Sequence, residues 1–306
     1  MTDNYEPIGA ATADMREVLD ALAAGEIGVR EAESRLAGYA TTDAGRFDAA
    51  RETRRGIPEA ILAEGKTAAE TGELARTAVE TAGRAIVTRI ETSVAESVAA
   101  TVTEAVPDAE IDHDERTRTL VARAPEFDPP ALDARVSVVT GGTSDAPVAG
   151  EAAIIAREVG ADVELIEDVG VASLVRIVDQ IDRVRGADVV IVAAGREGAL
   201  PTVVAGLVDA PVIALPVSTG YGVGGEGEAA LHGALQSCTV VTAVNVDAGF
   251  VAGAQAGLIA RGVAAARGER TDGTTGGGTD GTTGERADGT TGDETDAGNE
   301  TEPSDR

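Results

Sequence analysis

The sequence predicts an α/β protein: a doubly wound parallel sheet in a Rossmann-like, three-layer arrangement, preceded by a small α+β domain and followed by an acidic tail. Three observations predict it. Five runs, RVSVVT, DVELIE, DVVIVAAG, PVIALPV and TVVTAVNV, are rich in β-branched residues, nearly continuously apolar and each followed by a helical stretch, the pattern of strands buried on both faces. Upstream, ARAPEFDPPALDAR carries Pro125, Pro129 and Pro130, which interrupt helix and ladder alike and read as a linker. Downstream of Arg267 the chain is Gly, Thr, Asp and Glu with no apolar periodicity. We therefore divide the chain into residues 1–122, a linker 123–134, the α/β domain 135–267 and a tail 268–306.

In chain order, MREVLDALAAG and VREAESRLAG read as two short amphipathic helices, each closed by glycine. After RFDAARETRRGIPEAILAEGKT come helix TAAETGELARTAVETAG, strand RAIVTRI, helix SVAESVAATVTEAV and strand RTRTLVARA, with His113 in a polar loop between the last two. The five strands of the second domain follow. The tail repeats DGTTG at 272, 280 and 288 and is expected to be disordered, since it has too little apolar surface to offset its ordering entropy.

Composition narrows the function. A formal charge of -28, with 53 acidic against 25 basic residues, repels a phosphate backbone and excludes nucleic acid as a general partner. No uninterrupted apolar run approaches the roughly 18 to 20 residues that cross a bilayer, and the N-terminus lacks a basic stretch followed by an apolar one, so the chain is expected in the cytoplasm with no membrane partner. Lys66 is the only lysine; with few aromatics and much Ala, Val and Gly, this points to adaptation to a salty interior. One cysteine, Cys238, excludes an intrachain disulfide and a multi-cysteine metal site; neither His113 nor His232 joins a ligand cluster, and no metal site is expected.

Ligands of a doubly wound sheet sit at the carboxyl ends of its strands. After the first, TGGTSDAPVAGEAA brings Gly142, Thr143, Ser144 and Asp145 to a helix N-terminus, where backbone N–H groups and hydroxyls hold an anion; an ordinary N-cap is the plain alternative. After the third, Gly195 leads to Arg196 and Glu197. After the fourth, Ser218, Gly220 and Gly222 open a glycine-rich loop, and Asp247 follows the fifth. The pattern is not GxGxxG, and no acidic ribose clamp follows the second strand.

In order and spacing, TGGTSDAPVAGEAA, the DVG at 168–170, AGREGALPTVVAGLVDAPVIALPVSTGYG, the Ser-Cys element and VNVDAGF resemble the LarB family. That family's C-terminal domain is similar to aminoimidazole ribonucleotide carboxylase, PurE. DAARETRRGIPEAILAEGKT resembles its N-terminal signature, and the likeness runs from about residue 15 to residue 267. The resemblance implies a PurE-like sheet and a carboxylase that acts on nicotinic acid adenine dinucleotide with CO2 or bicarbonate as co-substrate. It then cleaves the phosphoanhydride to give pyridinium-3,5-biscarboxylic acid mononucleotide and AMP, the first step towards a nickel-pincer cofactor. It further implies a homo-oligomer and no tightly held cofactor, and leaves open a Mg2+ ion bridging the phosphates.

The resemblance gives Cys238 a covalent role on the pyridinium ring and Glu197 the part of base near ring carbon C5. By itself a cysteine at a helix end is more often packing, since the macrodipole there disfavours a thiolate. His232 lies six residues before it, about 240° around a helix, and does not share its face. Lys66, with Arg51 and Arg55, is expected to fold over the crevice and hold the anionic dinucleotide. Two other readings stand beside this one. Aminoimidazole ribonucleotide carboxylases resemble AGGAAHLP in the third loop, with an essential histidine, where AGREGALP here has Ala199. A non-catalytic dinucleotide sensor would use the same loops but needs neither Cys238 nor Glu197.

Overall fold

The computed structural model describes residues 11–274 apart from 30–31, 33–35 and 37, with side chains described from residue 15 to 268. Helix α1 (Ala11–Ala24) stops at Gly25, whose φ of 72° ends it in the left-handed region. Most of the second expected helix, 29–38, lies outside the described residues. The next elements were not legible in the sequence: a hairpin of β1 (Ala40–Thr42) and β2 (Gly45–Phe47), then the short helix α2 (Arg51–Arg55) and strand β3 (Ile61–Leu62).

Helix α3 (Ala68–Ala82) begins where KTAAE says it should. The Thr67 hydroxyl accepts from the Glu70 amide, and the Glu70 carboxylate accepts from the Thr67 amide, satisfying two otherwise unpaired donors. Strand β4 (Arg84–Thr88), helix α4 (Thr92–Ala105) and hairpin β5–β6 (Glu110–Asp114, Thr119–Arg123) complete a four-stranded sheet ordered β3-β4-β6-β5. Placing His113 in a loop needs correction, because EIDHD is an edge strand. Its exposed Glu110, Asp112 and Asp114 alternate with half-buried Ile111 and His113, so little of the segment is apolar.

The α/β domain holds β7 (Arg135–Thr140), α5 (Ala146–Val159), β8 (Asp162–Ile166), α6 (Leu174–Arg185), β9 (Val189–Ala194), α7 (Ala199–Ala205), β10 (Val212–Pro216), α8 (Glu228–Leu235), β11 (Val241–Ala243) and α9 (Gly249–Thr274). All its pairings are parallel, and the order is β11-β10-β9-β7-β8. The direction of strand addition reverses between β7 and β9, so a crevice opens beyond their carboxyl ends. One face of the sheet is covered by α5 and α9, through Ala149, Ala152, Ala156, Ala252, Ala256 and Ala260, and the other by residues of α6 and α7.

Helix α9 is long and apolar enough by composition to cross a membrane, yet its alanines pack on the sheet. Glycines bring it there. A Cβ at Gly253 would stand 2.3 Å from the Ala152 carbonyl oxygen, and one at Gly257 2.8 Å from the Val159 side chain, so α9 lies against α5 backbone to backbone. Helix α9 also runs beyond the expected boundary at Arg267, because Arg267 is anchored to Asp188 (2.5 and 2.9 Å) and no proline follows to stop the turn. The remainder of the expected disordered tail, 275–306, lies outside the described residues.

Between the two sheets sits a buried ionic network. Arg84 of β4, 3% exposed, donates to the Glu158 carboxylate (2.9 Å) and carbonyl (2.8 Å) of α5 and to Glu52 (2.7 Å), while Arg123 also pairs with Glu158. Phe127 of the linker covers the Arg84 guanidinium at 4.8 Å from its ring centroid. Gly150 of α5 admits Thr117 of the first domain, which a Cβ would meet at 2.2 Å.

Candidate functional site

Two adjoining clefts open at the carboxyl edge of the sheet, sharing Ser144 and Thr219 as a partition. The larger, about 390 Å³, lies over the β7/β9 reversal. Gly142, Asp145, Gly195, Arg196, Glu197, Gly220 and Tyr221 are among its walls. The smaller, about 270 Å³, lies between the domains, with Glu64, Arg89 and Arg118 on one side and Glu151, Ser218 and Asp247 on the other. A further cavity of about 150 Å³ between β6 and α5 shares Thr117 with the smaller cleft.

The glycines of the larger cleft exist for each other as much as for any ligand. A Cβ at Gly170 would meet the Gly141 carbonyl at 2.4 Å, and one at Gly220 the Gly195 carbonyl at 2.5 Å, so neighbouring loops stack backbone on backbone. Gly198 and Gly233 do the same between α7 and α8, and they fix the loop that carries Glu197 at the rim. Glu197 itself is exposed, with no side-chain partner among the described residues.

Asp145 is 4% exposed and braces two loops: its carboxylate accepts from the Gly142 amide (2.8 Å) and from the Thr219 hydroxyl (3.2 Å). Burial pushes its carboxyl above the ordinary value, against hydrogen bonds that lower it. A carboxyl raised in the fold favours the fold most when protonated, and that contribution fades as pH rises through the raised value. Asp145→Asn removes the titration. Wild type should therefore gain stability relative to the variant as pH falls from about 7 towards about 4, which paired thermal midpoints would measure.

Asp247 is a brace as well. At φ 54° it accepts from the Ser218 amide on its carboxylate (2.9 Å) and from Arg89 on its carbonyl (2.7 Å). Arg89, at φ 57°, also reaches Glu151, which is 2% exposed and accepts from Thr88, and pairs with Glu64. Burial alone would lower Arg89, yet these carboxylates hold it above the ordinary arginine value. Arg118, at φ 55°, pairs with Glu91. Three non-glycine residues in the left-handed region around one cleft are a concentration of strain typical of functional sites.

The other expected site residues are placed differently. Lys66 turns back on its own segment and donates to the Leu62 carbonyl (2.6 Å), lining neither cleft. Arg51 pairs with Glu59 (2.9 Å) beneath Phe250, and Arg55 is exposed outside both clefts, as are Thr143 and Gly222. The cations that the first domain presents are Arg89 and Arg118, which no motif in the sequence marks. Cys238 lies beyond the end of α8 in a bend before β11, exposed, at the amino edge of the sheet. Ser237 beside it accepts from Thr202 (2.9 Å). Among the described residues, no group of three or more His, Cys, Asp and Glu side chains is placed to hold a metal.

Comparison with known proteins bears on what this arrangement is. Residues 39–124 match the LarB/PurE-like N-terminal domain, and residues 135–274 match AIR carboxylase. The uncharacterized protein MJ0165 of Methanocaldococcus jannaschii is 34% identical over 255 residues, covering 81% of this chain and 97% of that protein. Crystal structures of PurE and of a PurE2 variant from Treponema denticola align with TM-scores of 0.34 and 0.33, each at 18% identity, covering 46% of this chain and 94% and 96% of theirs. A LarB-type first domain joined to an AIR carboxylase domain is the LarB architecture, and the chain belongs to the LarB family, with the α/β domain of a carboxylase-type enzyme.

Proposed function

We propose that this protein is a pyridinium-3,5-biscarboxylic acid mononucleotide synthase, acting on nicotinic acid adenine dinucleotide and CO2 or bicarbonate. The observation that carries the reading is the pair of adjoining clefts, partitioned by Ser144 and Thr219, with Glu197 on the rim of the larger: a two-part room for a two-part ligand. A pyridinium ring is an electrophile and does not attack CO2. Addition of the Cys238 thiolate at C4 breaks aromaticity and leaves an enamine whose C5 is nucleophilic. C5 bonds to CO2, Glu197 takes the C5 proton, and the thiolate departs with its electron pair as the ring regains aromaticity. Water then cleaves the phosphoanhydride and releases AMP. Neither cleft has a histidine in its walls, which disfavours the purine carboxylase chemistry.

We also propose a homo-oligomer. Glu197 lies beyond the carboxyl end of β9 and Cys238 before the start of β11, and Cys238 is not among the walls of either cleft. A second copy brings its own Cys238 to this Glu197. Leu235 and Val240, 65% and 94% exposed, flank the cysteine as an apolar surface for such a contact. Incubating the protein with nicotinic acid adenine dinucleotide and labelled bicarbonate tests the reaction: label should appear in a dicarboxylated mononucleotide with equimolar AMP, and its absence sinks the proposal.

Within this reading, Arg89 rather than Lys66 supports the anionic ligand. Arg89→Met should weaken dinucleotide binding about tenfold, as lost charged contacts do, while Lys66→Met leaves it unchanged. Titration of both variants followed by calorimetry measures the difference.

A further inference from the structure

Tyr221 stands 77% exposed on the glycine-rich loop at the lip of the larger cleft, in a chain with three tyrosines, three phenylalanines and no tryptophan. An aromatic ring left open to solvent where aromatics are this scarce asks for a use. Arg196 rests on it, with its guanidinium carbon 4.1 Å from the ring centroid, well inside cation–π range. Arg176, the other arginine of that cleft, is held by the Asp168 carboxylate and carbonyl. Arg196, by contrast, forms no ion pair and no side-chain hydrogen bond among the described residues; the ring face alone holds it.

We propose that the Tyr221 ring is the seat for a planar cation, the pyridinium ring of the dinucleotide, and that Arg196 holds this seat until the ligand's ring takes it. The inference rests on the dinucleotide reading above and adds a ring-recognition residue to it. The negative face of the tyrosine ring attracts a flat cation and has no such preference for a neutral ring, so the seat selects the oxidised, chargeable form on which carboxylation depends. Gly220 and Gly222 on either side, the latter at φ 88°, let the loop present the ring without side chains of their own in the way. Glu197, next to Arg196 in sequence, shares the cleft with the seat.

The test compares wild type, Tyr221→Leu and Arg196→Ala by calorimetric titration with nicotinic acid adenine dinucleotide, its reduced dihydropyridine form, AMP and N-methylnicotinate. Both side chains are exposed, and unchanged circular dichroism would verify that the variants fold. Tyr221→Leu should lose about tenfold in affinity for the two pyridinium ligands and little for the reduced form and AMP. Arg196→Ala should bind the pyridinium ligands at least as tightly as wild type. Equal losses for oxidised and reduced forms, or a loss confined to AMP, would overturn the seat; weaker pyridinium binding by Arg196→Ala would overturn the placeholder. If wild type binds neither dinucleotide, the proposed function fails, and N-methylnicotinate decides the seat by itself. Failure of N-methylnicotinate to bind wild type, or its equal binding to Tyr221→Leu, rejects it.

Discussion

Replacing Cys238 by alanine should abolish ring carboxylation, by roughly a thousandfold or more, while dinucleotide affinity stays near that of wild type. The thiol acts on the ring and takes no part in recognition: it lies outside both clefts of its own chain, and alanine in an exposed bend leaves the fold alone. Glu197→Gln should be equally inactive and stall after covalent addition, leaving an adduct mass. Because the proposed site draws its cysteine from a second copy, the two dead proteins should complement each other. Co-assembled in equal amounts, they regain about a quarter of wild-type activity, the fraction of sites drawing an intact cysteine from one copy and an intact glutamate from another. No recovery from demonstrably mixed assemblies would mean that each chain builds its whole site by itself.

Arg84→Met should cost about 3 to 5 kcal/mol of stability, the range for breaking a buried pair from one side. Arg84 and Glu158 are each 3% exposed, and without the guanidinium Glu158 keeps only Arg123. Methionine retains the packing against Phe127 but supplies no charge. Arg84→Met combined with Glu158→Leu should recover much of the loss, since an apolar pair of similar volume removes the stranded carboxylate. The penalty should persist in molar salt, which screens buried charges far less than surface ones. Chemical denaturation at low and high salt reads both effects, and a loss that vanishes with salt would place the network at the surface.

Much of the fold was legible because it is written in long signals. Five β-branched runs announced the parallel sheet, and TAAETGELARTAVETAG read as the helix that is α3. The hairpin β1–β2 and the edge strand β5 were not legible, because short or alternating polar strands such as EIDHD depend on a neighbour for their existence. At the candidate site topology pointed to loops that line the clefts, but the side-chain bonds of individual residues were not legible. Asp145 and Asp247, expected as ligand contacts, line the clefts and also brace Gly142, Thr219 and Ser218. Lys66 drew notice by its rarity, and rarity carries no information about where a side chain points. Arg89 and Arg118 escaped notice because a left-handed φ on an arginine leaves no trace in the sequence.

The glycine-lined helix α9 also has a consequence for how the chain is born. Its alanines close one face of the parallel sheet, yet it is the last element of the α/β domain to leave the ribosome. Until Gly249 and the residues after it emerge, Val136, Val138, Ile191, Ile213 and Leu215 have only α5 as cover on that side. The sheet therefore gains its full cover only when α9 docks, and a nascent chain stalled before Gly249 is aggregation-prone.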